Sequence, residues 1–160
     1  MKAVATFFYV GLLKPAPGTW GSLAALPVAY ALLLIGGFWL LLAATLAAFA
    51  IGYAATRALT KDGPEDPSWI VIDEVVGQWI ALFPVGYGAM MMSVDIWRLW
   101  PGWISAFVFF RLFDIWKPWL VGRADARGDA LGVMLDDVIA GVFSAIVSIA
   151  LAALAHGVLM

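Results

Sequence analysis

Two pairs of adjacent acids lie against apolar runs long enough to enter a lipid bilayer: Ile72-Asp73-Glu74-Val75-Val76-Gly77 and Leu135-Asp136-Asp137-Val138-Ile139-Ala140-Gly141. An ionised side chain at the bilayer centre costs roughly 2.5–3.5 kcal/mol on insertion scales, so such groups face a polar cavity, a partner or an ion. Carboxylate oxygens are the ligands that a hard divalent cation such as Mg²⁺ prefers. The pairs therefore point to a membrane-embedded acidic site that binds metal near one face of the bilayer. Composition supports the membrane half. Hydrophobic residues make up 64% of the chain and charged residues 12%, against about 45–50% and 25% in a soluble domain. The 160 residues make a single domain, 1–160, with too little polar surface to cover a sphere in water. A net charge of −2 argues against a nucleic-acid partner. The chain has no cysteine, which removes disulfides, a thiolate nucleophile and a zinc–cysteine site.

The apolar runs predict an all-α fold: a polytopic helical bundle with about five membrane spans plus a short N-terminal interfacial helix. Ala3 to Leu13, flanked by Lys2 and Lys14, is too short to cross the bilayer. No clear small-residue cleavage site follows, so it reads as a helix in the interface or against the bundle. Pro15-Ala16-Pro17-Gly18 is a loop. Span one runs from about Trp20 to Ile35 with Pro27 inside it, and Gly36-Gly37 is a tight turn. Span two runs from Phe38 to about Ala58, and Thr60 to Ser68 is a polar loop. Span three runs from near Ile70 to near Met92, with Asp73, Glu74 and Gln78 in its first turns and Pro84 later. After a polar connection from Ser93 to Arg98, span four runs from Leu99 or Pro101 to Phe113. A charged segment leads to Asp129, and span five begins near Leu135 and runs to the C-terminus.

Loop charge sets the orientation. With the N-terminus inside, the cytoplasmic side holds Lys2, Lys14, Arg57, Lys61, Arg111, Lys117, Arg123 and Arg127, and the other side only Arg98. Asp73, Glu74, Asp114, Asp136 and Asp137 fall on the cytoplasmic face, while Trp39, Trp97, Trp100 and Trp103 mark the opposite interface.

Four groups of residues carry chemistry. The two acidic pairs echo each other, and each opens a span. Helix capping explains one acid at a helix start, but not two adjacent acids at both sites. Gly77, Ala140 and Gly141, about a turn later, suit helices packed closely around a site. In the third group Arg111, Asp114 and Lys117 are spaced i, i+3, i+6, one broad polar helix face. They make either an interfacial ion pair with snorkelling cations or a phosphate clamp. In the fourth, Gly18-Thr19-Trp20-Gly21-Ser22 offers N–H and O–H donors at a helix start; a plain N-cap with a glycine turn explains the same residues. It lacks the lysine and spacing of a P-loop.

Four blocks together resemble the phosphatidylglycerophosphatase A family: Gly18-Thr19-Trp20-Gly21-Ser22-Leu23-Ala24-Ala25-Leu26-Pro27, Ile70-Val71-Ile72-Asp73-Glu74-Val75-Val76-Gly77, Phe110-Arg111-Leu112-Phe113-Asp114-Ile115-Trp116-Lys117-Pro118 and Gly132-Val133-Met134-Leu135-Asp136-Asp137-Val138-Ile139-Ala140-Gly141. Order and spacing match as well. The resemblance implies a Mg²⁺-dependent, multi-pass phosphatase of the bacterial inner membrane that converts phosphatidylglycerophosphate to phosphatidylglycerol and phosphate. The family often carries a second proline where this chain has Trp119 after Lys117-Pro118. The linker 123–130 is variable in such proteins. Neither departure touches the acids. The candidate catalytic residues are Asp73, Glu74, Asp114, Asp136 and Asp137. Asp73, Glu74, Asp136 and Asp137 are the candidate metal ligands, and Arg111, Lys117, Thr19 and Ser22 the candidate phosphate binders.

The chemistry fits these residues. Phosphomonoester hydrolysis needs charge neutralisation on the equatorial oxygens and an in-line nucleophile, which carboxylate-held Mg²⁺ can provide for. A phosphocysteine route lacks its cysteine, the lone His156 lies on the wrong face for a phosphohistidine, and no Asp-x-Asp-x-Thr stretch offers an aspartyl nucleophile. The alternative from another class is a small cation- or proton-coupled transporter, whose charges belong near mid-membrane rather than at span ends. A cytidine-diphosphate-alcohol transferase is disfavoured because Asp62-Gly63 is followed by Pro64. The number of metal ions and the oligomeric state are left open by these patterns.

Overall fold

The computed structural model describes residues 1–61 and 67–159, and among them the fold is all-α. The helices are α1 (Lys2–Ala5), α2 (Pro17–Thr60), α3 (Ile72–Ala81), α4 (Phe83–Met92), α5 (Trp100–Trp116), α6 (Leu120–Asp125) and α7 (Ala130–Leu159), with 3₁₀ turns at Val10–Leu12 and Ile96–Leu99. Among the described residues three stretches are long and apolar enough to cross a membrane: Pro17–Thr60, Ile72–Met92 and Ala130–His156.

The longest of these is not straight. Gly36 (φ −142°, ψ 15°) and Gly37 (φ 62°, ψ −158°) leave helical geometry in the middle of α2, and the Gly37 conformation is open essentially to glycine alone. The first half starts beside the start of α3, where Gly21 meets Val71. Trp79 then donates its indole N–H to the Ala25 carbonyl at 2.9 Å, and Leu33 lies against Gly86 in α4. The second half retraces the path: Phe38 packs edge-on to Phe83 and Tyr87, and Gly52 meets Ile72. So α2 is a helical hairpin, and the expected boundary at Gly36-Gly37 falls at its tip.

The expected span three divides at Leu82, where Pro84 lies in the first turn of α4. Helices α3 and α7 start at the same end of the bundle and cross at Gly77 and Gly141. A Cβ added at Gly77 would stand 2.6 Å from the Asp137 carbonyl oxygen, and one at Gly141 only 3.1 Å from the Ile80 Cβ. This close approach brings the two acidic segments together. Antiparallel to α7 runs α5, tied by the Ser144 hydroxyl donating to the Ala106 carbonyl (3.0 Å) and by Ser105–Ser148 (2.7 Å). Small residues such as Ala25, Ala29, Ala81, Ala106 and Ala140 fill the buried centre, while Leu34, Ile35, Leu46, Ile104 and Ile146 are exposed. Small residues at the helix contacts together with large apolar groups exposed on the outside suit a bundle solvated by lipid.

Two expectations change. The N-terminal segment is helical for only four residues; it then turns through Phe7, Phe8 and Tyr9, all at positive φ. Thr6 causes the early stop: its hydroxyl donates to the Lys2 carbonyl and accepts the Tyr9 N–H. The segment is pinned to the bundle where Val71 N–H donates to the Ala5 carbonyl at 2.8 Å. Helix α7 starts at Ala130 rather than near Leu135, because Asp129 accepts the Gly132 N–H at 2.7 Å and caps it there. Of the expected Thr60–Ser68 loop, residues 62–66 lie outside the described residues.

Candidate active site

At the end of the bundle where α2, α3 and α7 all begin, a pocket of about 300 Å³ opens. Gly18 and Thr19 line it from the start of α2, and Ser68 and Ile70 from the connection into α3. Asp73 and Glu74 come from the first turn of α3, Arg111 and Asp114 from the last turns of α5, and Val133, Asp136 and Asp137 from α7. Lys117 completes the wall. It follows α5 in a left-handed conformation (φ 50°), its N–H bonded to the Phe113 carbonyl at 2.8 Å, and Pro118 prevents the helix from continuing.

Asp73, Glu74 and Asp137 each bring one carboxylate oxygen within 4.8 Å of the others. Asp73 and Asp137 are buried. Asp136 stands apart from this trio: its Oδ2 accepts from Lys117 Nζ at 3.0 Å, and its Oδ1 accepts the Asp137 N–H at 2.9 Å. Neighbouring helical residues project about 100° apart, and here Asp136 turns to Lys117 while Asp137 turns to Asp73 and Glu74. The same local bond recurs in both pairs, since Asp73 Oδ1 accepts the Glu74 N–H at 3.0 Å.

Two cations face the acids. Arg111 pairs with Asp114 at 2.5 Å and donates to the Ser22 hydroxyl at 3.4 Å; that hydroxyl donates to the Gly18 carbonyl at 2.9 Å. Ser22 is fully buried and does not line the pocket, so it holds Arg111 rather than facing the pocket as Thr19 does. Lys117 is shared between Asp125 and Asp136. Burial opposes its charge, but the bonds from these two carboxylates outweigh that and hold its pKa above the usual lysine value.

The donor set suits a hard divalent cation. Its oxygens come from carboxylates. Glu74 Oε2, Asp137 Oδ1 and Arg111 Nε are buried with no hydrogen-bond partner among the described residues. Buried polar atoms without partners are uncommon and call for a ligand or water. The expected residues Asp73, Glu74, Arg111, Asp114, Lys117, Asp136, Asp137 and Thr19 thus meet in one pocket. Ser68 and Asp125 were not foreseen. Asp125 lies eight residues after Lys117, across a turn with no helical register to signal the contact.

Fold and site define a helical membrane protein with an acidic, cation-walled pocket at one end of the bundle. The chain belongs to the phosphatidylglycerophosphatase A family, whose model matches residues 3–152, and by that membership it is a phosphatase. It is 37% identical to the phosphatidylglycerophosphatase A of Haemophilus influenzae over 92% of this chain and 86% of that one. The phosphatidylglycerophosphatase A of Escherichia coli K12 is 36% identical over 89% of this chain and 77% of its own. A Bacteroides thetaiotaomicron protein that carries a provisional name as a phosphatidylinositol-3-phosphatase is 39% identical over 88% and 86%. No solved structure matches the chain at a significant level.

Proposed function

We propose that this protein is a Mg²⁺-dependent lipid phosphatase. It would hydrolyse phosphatidylglycerophosphate to phosphatidylglycerol and phosphate at the cytoplasmic face of a bacterial inner membrane. One observation carries the reading: Asp73, Glu74 and Asp137 converge within 4.8 Å in a pocket that Arg111 and Lys117 also line, at one end of an apolar bundle. Five crossings would come from the two halves of α2, the α3–α4 pair, α5 and α7. At 1.5 Å per residue the 17-residue α5 is about 26 Å long, close to the roughly 30 Å hydrocarbon core. The transporter alternative has no comparable support, because the acids gather at one end of the bundle and the relatives are named as phosphatases.

In this mechanism Asp73, Glu74 and Asp137 would hold the cation. When bound, the ion would draw charge from the phosphoryl oxygens and lower the pKa of a nearby water. Arg111, held by Asp114 and Ser22, and Lys117, held by Asp136 and Asp125, meet the dianionic monoester. A diester, with one charge fewer, matches them less well. Thr19 adds an O–H donor from the start of α2, where N–H groups point toward an anion. Bundle position keeps the acyl chains in lipid while the head group reaches the acids. The test is phosphate release by purified protein from phosphatidylglycerophosphate and phosphatidylinositol 3-phosphate, with Mg²⁺ and with excess chelator. Release from the first lipid, abolished by chelator, is expected. Full turnover in chelator would overturn the metal assignment. A strong preference for the inositol lipid would reassign the substrate, and proton-linked transport without phosphate release would restore the transporter.

A further inference from the structure

A second cavity, of about 800 Å³, lies on the lipid-facing side of α5 and α7. Phe113, Phe143, Ile146 and Val147 give it apolar walls; Trp116, Lys117 and Trp119 form its rim. Lys117 also lines the acidic pocket, so one side chain is the partition between the two. The walls lie deeper along α7 than the acids. From Asp137 to Phe143 is six residues and to Val147 ten, or about 9 and 15 Å along the helix axis at 1.5 Å per residue. Phe113 and Phe143 meet edge to face, ring centres 5.8 Å apart, and form the floor. Ile146, Trp116 and Trp119 are exposed.

We propose that this groove seats an acyl chain of the substrate whose phosphate occupies the acidic pocket; the inference rests on the lipid-phosphatase reading above. Continuity selects the occupant. A phosphate met by Arg111 and Lys117 beside the acid trio leaves the rest of its lipid to run toward the bilayer centre, and the groove adjoins the pocket at Lys117, which lines both. Trp116 and Trp119 suit the level where glycerol meets acyl chain, since their rings are amphipathic. Lipid tails are as apolar as the groove walls, so the groove adds little affinity for a chain already in the bilayer. It acts by orientation: one seated chain fixes how the head group enters the pocket.

Chain length against groove filling tests this. Val147→Trp and Ile146→Trp fill the groove, and Leu46→Trp adds the same bulk at an exposed position on α2. Each is assayed in detergent micelles on a long-chain phosphatidylglycerophosphate and on its dibutyryl analogue, whose tails end near the rim. The two groove variants should lower kcat for the long-chain lipid about tenfold with little change in its KM, while kcat and KM on the dibutyryl lipid stay at wild-type values. Leu46→Trp should change neither. Unchanged long-chain kinetics in both groove variants would overturn the proposal, and so would equal losses on the two substrates. Absence of phosphate release by the wild-type protein from either lipid would instead overturn the phosphatase reading.

Discussion

Seven charged side chains in one pocket divide into two jobs, and substitutions can separate them. Asp73→Asn and Asp137→Asn should lower activity by about 100-fold or more, because each removes a full charge from the cation trio. Part of that loss should return at high Mg²⁺. Arg111→Ala and Lys117→Ala should raise KM about tenfold without altering the Mg²⁺ dependence. Recovery of the arginine variant, but of neither acid variant, in excess metal would reverse these roles. Asp136→Asn belongs with the cations. It should raise KM, and the double variant with Lys117→Ala should be little worse than Lys117→Ala alone, since both remove one contact. A metal ligand at Asp136 would give additive losses instead. The raised Lys117 pKa has a definite sign: a group raised on folding contributes fully below its unfolded pKa and fades only as pH rises through the higher folded value. The KM contrast between wild type and Lys117→Ala should therefore stay constant across neutral pH. The acids were legible because charge beside an apolar run is costly. That Asp136 turns to Lys117 was not, because residue type does not reveal which way each of two helical neighbours points.

Helices explain which parts of the site could be read in advance. The turn at Gly36-Gly37 and the stop at Pro118 each follow from a backbone constraint that the residue carries with it, whereas the expected single span three divides before Pro84. The start of α7 was placed five residues late, because its apolar run begins after its cap. Asp129 starts the helix inside a segment that composition marks as linker. That extra length matters: Asp136 and Asp137 are two turns inside α7, where no free N–H groups remain to be capped, so capping does not account for them. What carries them to Asp73 is the Gly77–Gly141 crossing. Gly77→Ala or Gly141→Ala forces apart α3 and α7, and overpacking of this kind costs about 1–3 kcal/mol. Each variant should show a lower thermal midpoint in detergent and weaker Mg²⁺ activation, although neither residue touches the pocket. A variant with wild-type midpoint and wild-type Mg²⁺ response would show that the crossing does not set the spacing of the acids.

Over the whole molecule, Lys and Arg gather at the end that holds the acidic pocket while Arg98 lies at the other, and this sorting argues for the orientation. The acidic pocket, Arg111 and Lys117 share one end with Lys2, which sits 5.9 Å over the Trp69 ring, and with Arg57 and Lys61, which line a cleft beside Gly128–Ala130. At the far end Tyr30 packs against Trp97 and Trp103, near Arg98. Membrane proteins retain Lys and Arg loops in the cytoplasm and place Trp and Tyr at the interfaces. The class of fold was therefore readable from composition and run length, and the shared face of the site from loop charge. The hairpin path of α2 was legible at Gly36-Gly37, whereas the four-residue α1 needed the hydrogen bonds of Thr6. The orientation makes a direct prediction, and the absence of native cysteine makes it clean. Lys14→Cys and Lys61→Cys should resist an impermeant maleimide in intact cells and react once the membrane is opened, whereas Arg98→Cys should react from outside at once. This result is what the proposed reading expects, with Asp73, Glu74 and Asp137 at the cytoplasmic face. Labelling of Lys61→Cys from outside would invert the molecule and move the acids to the outer face, against the proposed orientation.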